Sequence, residues 1–314
     1  MNTKYRSPWP DLPYEAWRDT CSTLHLWTQI VGKVRLAMTP WLNHSWHVPL
    51  YVSARGLTTS PIAHGSRTFE ISFDFRLHSL DIEVSDGSSL RIPLQPRSVA
   101  QFYRDLMRAL EALDLPVAIN VLPCEIPHAT PVDVDDKHVA YDADAARRFF
   151  EALVQIDRVF KQFRTGFVGK SSPVHFFWGS FDLAVTRFSG RAAPAFQGNV
   201  PGLAIDVMRE AYSHEVSSAG FWPGGNGVDY PCFYSYQYPV VEPFKHATVQ
   251  PSEAFFSEQL GEFLLPYDAV RTSSDPDAAL LAFLSSTYEA AAIASKWERA
   301  AVERPLGKPR VPLP

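Results

Sequence analysis

Cysteine is scarce in this chain. Cys21, Cys124 and Cys232 are odd in number, far apart, and form no CxxC pair. That pattern suggests neither a disulfide framework nor a thiolate zinc site. Basic runs are missing as well: the net charge over 314 residues is −5, and no cluster of lysine and arginine is long enough to track a phosphate backbone. Nucleic acid is therefore not an expected partner. No segment approaches the roughly 18 uninterrupted apolar residues of a spanning helix. The N-terminal stretch MNTKYRSPWPDLPYEAW lacks the apolar core of a signal peptide. The expectation is a cytoplasmic protein with no membrane partner. Three catalytic signatures are also missing. There is no HExxH and no GxSxG elbow, and GFVGKSS at 166–172 lacks the GxxxxGK[ST] spacing and precedes a strand.

Aromatic residues and proline are plentiful, with 21 Phe, 12 Tyr, 8 Trp and 26 Pro. Many prolines mean many loops, and many aromatics mean a heavy core or a lined pocket. With 46% hydrophobic and 20% charged residues, the balance is that of an ordinary globular chain, long enough for an ample core.

Periodicity supplies the elements. Leu24, Trp27, Val31 and Val34 have helical spacing, within a helix expected from Trp17 to about Arg35. FEISFDFRLHSLDIEVSDG alternates, with Phe69, Ile71, Phe73 and Phe75 facing one way, and Asp86-Gly87 is a hairpin turn before LRIPL. Ser98 caps a helix running to Asp114, and VAINVLP reads as a short strand before a long acidic loop, PCEIPHATPVDVDDKHVAY. A helix over 144–163 buries Phe149, Leu153, Ile156, Phe160 and Phe163. PVHFFWGSFDLAVTRFSGR at 173–191 reads as a strand with Phe177, Phe181, Leu183 and Val185 on its apolar face. Two more strands follow around a GGNG loop, then a Ser-capped helix near 252–260, the strand EFLLPYDAV, and an Ala-rich helix from 275 to about Arg299. Residues 303–314 read as an extended Pro-rich tail.

The order repeats. LYVSARGLTTSP at 50–61 matches LAVTRFSGRAAP at 183–194, SVAQF at 98 matches SEAFF at 252, and DADAARRFF at 142 matches DPDAALLAF at 275. We therefore expect one domain, 1–302, built of two repeats at about 17–163 and 164–302. The fold class is α+β, with antiparallel sheet from an internally duplicated unit, packed by long helices.

The polar strand faces carry the candidate chemistry. In the first half His47, Tyr51, Ser53 and Arg55 lie beside Glu70, Asp74, Arg76 and His78, a set compatible with a wet sheet face. In the second half Trp178, Ser180, Asp182 and Thr186 contain no lysine, and CFYSYQYPV puts Tyr234, Tyr236 and Tyr238 on one face. Aromatic bodies with polar tips suit a small-molecule pocket. Trp178, Trp222, Tyr234 and Tyr236 are candidates to contact the ligand, and Arg187 and Arg55 to hold its charge. Glu215, His214 and Asp182 are candidates for proton transfer. His47, His175 and His214 are candidate ligands for a divalent metal, although no local spacing brings them together.

GLTTSPI, PVHFFWGSFDLAVTRFSGR and SHEVSSAGFWPG, with LHLWTQIVGKVRL near the start, resemble a family of bacterial proteins known only as a domain of unknown function. The resemblance spans about Trp17 to Trp297. It implies a single-domain bacterial cytoplasmic protein, carries no reaction across, and directs attention to the residues within those runs. The expected function is an enzyme acting on a small polar or anionic metabolite at the junction of the repeats. The alternative is a non-catalytic small-molecule-binding protein.

Overall fold

The alternation around Phe69 builds the first of two antiparallel meanders. The computed structural model describes residues 8–225 and 227–308. Helix α1 (Tyr14–Met38) comes first, and Pro40 and a 3-10 turn at Asn43–Ser45 follow its end. Strands β1 (Tyr51–Val52), β2 (Gly56–Thr58), β3 (Ile62–His64), β4 (Arg67–Asp74), β5 (Ser79–Val84) and β6 (Ser89–Pro93) form one sheet in the order β1-β2-β4-β5-β6, with β3 also on β4. Ser98 caps α2 (Val99–Ala112) by accepting from the Gln101 amide. Asp142 caps α3 (Ala143–Arg164) in the same way. The second sheet has β7 (His175–Phe177), β8 (Asp182–Ala192), β9 (His214–Trp222), β10 (Cys232–Tyr238), β11 (Phe255–Ser257) and β12 (Glu262–Pro266), in the order β11-β12-β10-β9-β8-β7. Short helices α4 (Ile205–Ala211), α5 (Glu242–Lys245) and α6 (Tyr267–Arg271) connect these strands and lead into α7 (Pro276–Ala294), and α8 (Arg299–Val302) follows. The class is α+β.

Leu50 and Phe176 exchange both backbone hydrogen bonds, at 2.9 and 2.9 Å, so the two sheets meet edge to edge. Helices α1, α2, α3 and α7 contribute the apolar stripes of the same core. In α3 the stripe is Phe149, Leu153, Ile156, Phe160 and Phe163, all buried, and each such side chain is worth about 1.5–3 kcal/mol of transfer energy. Among the described residues no helix is long and apolar enough to cross a membrane.

Five expectations need correction. Residues 173–191 are not one strand but the hairpin β7–β8, with its turn at 178–181 and Phe181 at φ 59°. Residues 117–123 form no strand, because the Asn120 and Leu122 carbonyls accept from the Lys33 ammonium and that of Val121 from the Val132 amide. The segment near 252–260 is a turn and β11 rather than a helix, with the Ser252 hydroxyl turned to Glu253 instead of a helical amide. SVAQF and SEAFF therefore fall on unlike elements. EFLLPYDAV stops being a strand at Pro266, whose ring cannot donate to a ladder. The tail from Glu303 to Lys308 is docked on the protein, with the Arg304 amide donating to Gly166. Residues 309–314 lie outside the described residues.

Candidate functional site

The face of the second sheet turned away from the long helices carries Asp182, Thr186 and Phe188 on β8, Val216 and Ser218 on β9, and Tyr234 and Tyr236 on β10. The turn at 178–181 changes the phase of the hairpin, so His175 and Phe177 join this face too. Over it lie α4, the loop before it, and the loop segment around Cys124 and Glu125. Together they enclose a cavity of about 280 Å³, walled largely by Trp41, Trp46, Phe177, Trp178, Phe188 and Met208. Its size sits near the lower end of small-molecule sites, about 300–1,000 Å³. No lysine or arginine lines it among the described residues.

The floor is polar. Asp182 is buried and accepts from the Ser180 and Tyr234 hydroxyls, both at 2.5 Å. Tyr234 reaches it across β9 at Gly220, where a Cβ would stand 2.2 Å from the phenol oxygen. Glu125 comes from the loop and packs against the hairpin turn, where a Cβ at Gly179 would stand 1.9 Å from its Oε1. Gln29 of α1 fixes that loop, accepting from the Cys124 amide at 2.9 Å and donating to the Cys124 carbonyl at 2.8 Å. Glu125 itself has a left-handed backbone, φ 63°, and its amide donates to Pro201 at 2.7 Å. Such a conformation costs on the order of 1 kcal/mol and persists only where surrounding contacts hold it.

Electrostatics follow from this enclosure. Burial, followed by the nearby Asp182 charge, pushes the Glu125 carboxyl up to about 7. Burial raises Asp182 to about 6 against its two hydroxyl donors. Glu262, on β12 behind the tyrosines, is raised to about 8 by burial and by Asp182. Glu125 is half-buried as a residue, its open side being the cavity it lines. A second polar chain runs alongside: Thr186 and Ser218 hydroxyls lie 2.8 Å apart, and those of Tyr212 and Tyr236 3.1 Å apart. His175 lines the same cavity, fully buried, with neither ring nitrogen hydrogen-bonded. Burial lowers it to about 3, so the imidazole is neutral.

Of the residues singled out from sequence, Asp182, Trp178, Tyr234, Tyr236 and His175 gather at this one place. Trp178 is also a strut: its indole N–H donates to the Val48 carbonyl at 2.8 Å, and its ring fills the space beside Gly32. Trp222 packs on Tyr234 at 4.5 Å between centroids. His214 stands at the margin, its ring 6.2 Å from that of His44, which does line the cavity. The others lie elsewhere. Arg187 faces the helices, where its guanidinium stacks on Phe163 and Tyr288. Arg55 belongs to the first sheet and pairs with Glu83 at 3.0 Å. Glu215 pairs with Arg191 at 2.6 Å. His47 receives the Leu42 amide, with Trp41 against its ring. Among the described residues no three His, Cys, Asp or Glu side chains are grouped as a metal ion would require. Glu125 was not legible as a site residue, because it sits in a loop without periodicity. The one local hint was a glutamate in an apolar frame, PCEIP.

The model of a family of unknown function, DUF5996, matches residues 9–304. The chain belongs to that family. Nothing among curated proteins or solved structures matches it. The whole cavity, from Leu36 to Tyr236, lies inside the DUF5996 match.

Proposed function

We propose that this protein is an enzyme that moves a proton on a small, apolar-bodied substrate held in the cavity. Glu125 is the acid–base group, Asp182 its charge partner, and Ser180 the hydroxyl between them. The observation that carries the reading is the carboxyl pair itself, with Glu125 lining a largely apolar cavity at about 7 and Asp182 buried near it at about 6. A general acid–base group works best when its pKa lies near the working pH, and like charges in a dry site drive paired carboxyls apart. The arginines expected to hold an anion, Arg55 and Arg187, lie away from the cavity.

The test begins with a small-molecule screen by thermal shift, followed by turnover assays on the hits. Glu125→Gln should lower kcat by roughly 10²-fold or more, with the circular dichroism spectrum unchanged. Activity within threefold of wild type would remove Glu125 from the chemistry. A binding-only protein would instead hold its ligand tightly and leave it unaltered in both forms.

A further inference from the structure

Asp74, Asp81, Asp135 and Asp157 are buried aspartates, and each has a basic partner: Arg76 at 3.0 Å, Arg91 at 2.7 Å, His138 at 2.7 Å and Lys161 at 2.6 Å. Asp182 is equally buried, and among the described residues neither it, Glu125 nor Glu262 makes an ion pair. Elsewhere in this molecule, then, buried carboxylates have basic partners from within; at the cavity they do not. Leaving buried charge uncompensated is costly, and burial raises all three carboxyls above the usual carboxylate range. A cation arriving in the cavity would supply what the fold withholds.

Two further features of the same cavity narrow the chemistry. Its walls are aromatic: the Lys170 ammonium already lies 5.4 Å from the Trp46 centroid and 4.8 Å from that of Phe188, while Phe177, Tyr212 and Tyr236 offer further rings around the space, and ring faces attract organic cations. His175, which lines the cavity, is fully buried, and neither of its ring nitrogens has a hydrogen-bond partner. An unpartnered buried imidazole is an anomaly that a ligand group would resolve. In the β7–β8 register Phe177 stands opposite Asp182 and His175 opposite Ala184. The imidazole is thus two strand residues, about 7 Å, along the sheet from the acid.

We propose that the ligand is a protonated organic amine. Its ammonium lies at Glu125 and Asp182, its apolar or aromatic body lies between the cavity walls, and a hydroxyl or carbonyl at its far end bonds to His175. This identifies the substrate class of the acid–base site above and rests on that cavity being the functional one.

Isothermal titration of the full chain with phenethylamine, phenethyl alcohol and hydrocinnamate separates charge from shape. The amine should bind at least about tenfold more tightly than either isostere, a difference of 1.4 kcal/mol. Glu125→Gln and Asp182→Asn should erase that advantage while leaving the alcohol unchanged. Tyramine, which adds a phenol hydroxyl, should bind better than phenethylamine to wild type but not to His175→Leu. Equal or tighter binding of the alcohol or the carboxylate overturns the amine assignment while keeping the cavity. No binding by any of the four probes overturns the assignment and counts against the cavity too. The wild-type comparison needs no variant to fold. Preferential amine binding to wild type, lost in Glu125→Gln while that variant keeps full activity, would sink the acid–base reading alone.

Discussion

Gly220 decides whether the floor of the cavity can be assembled. Tyr234 lies across it, and any side chain there would push the phenol away from Asp182. Gly220→Ala should therefore cost about 1–3 kcal/mol by overpacking and leave Asp182 short of a donor, which a urea titration would read as a lower midpoint. A midpoint equal to wild type would mean the ring has room to move. At this scale the sequence was partly readable. Period-two alternation correctly set Tyr234 beside Tyr236 and Asp182 beside Thr186, because strand geometry leaves no other choice. It could not reach Glu125, whose position depends on Gln29 from 95 residues away gripping the neighbouring backbone.

Among elements, the β7–β8 hairpin is the instructive case. An unbroken strand would have put Phe177 with Phe181 on the apolar side, and His175 with them. The turn at Trp178-Gly179-Ser180-Phe181 reverses the chain and brings both to the cavity, with Gly179 as the punctuation that alternation alone overlooks. Helix α4 shows the opposite character. It has no buried residue, yet Val207, Met208 and Ala211 line the cavity. Hydrogen exchange should be fast over 193–211 and slow in β8, β9 and β10, since few buried contacts hold the former. Saturating amine should slow exchange in α4 specifically. Uniform protection of α4 before ligand is added would contradict this. Among the helices α2 was the most legible, since Ser98 reads as its cap and does cap it, whereas the same reading failed at Ser252.

For the whole molecule, buried titratable groups set the pH dependence of stability. The raised carboxyls bind protons more tightly when folded, so their contribution is complete below about pH 4, the unfolded carboxylate range, and is lost as pH rises through about 6, 7 and 8. His25 and His175, lowered by burial to about 4 and about 3, act in reverse: their contribution is complete above about pH 6.5 and is lost as pH falls through those values. Above pH 6.5 only the carboxyl effect remains of the two. The melting temperature should fall between pH 6.5 and 8, and Glu262→Gln should flatten that slope. A wild-type melting curve that is level or rising over this interval would refute the burial of these acids.

The backbone pairing of Leu50 with Phe176 also bears on how the chain could be divided. At that point Leu50 and Phe176 each present one amide and one carbonyl that the other satisfies. A fragment ending near residue 163 would carry an open border, able to recruit a second copy of itself. Co-expressed with the remainder, the same border becomes an address. The two pieces should reconstitute one another as a split protein, each serving as the other's template.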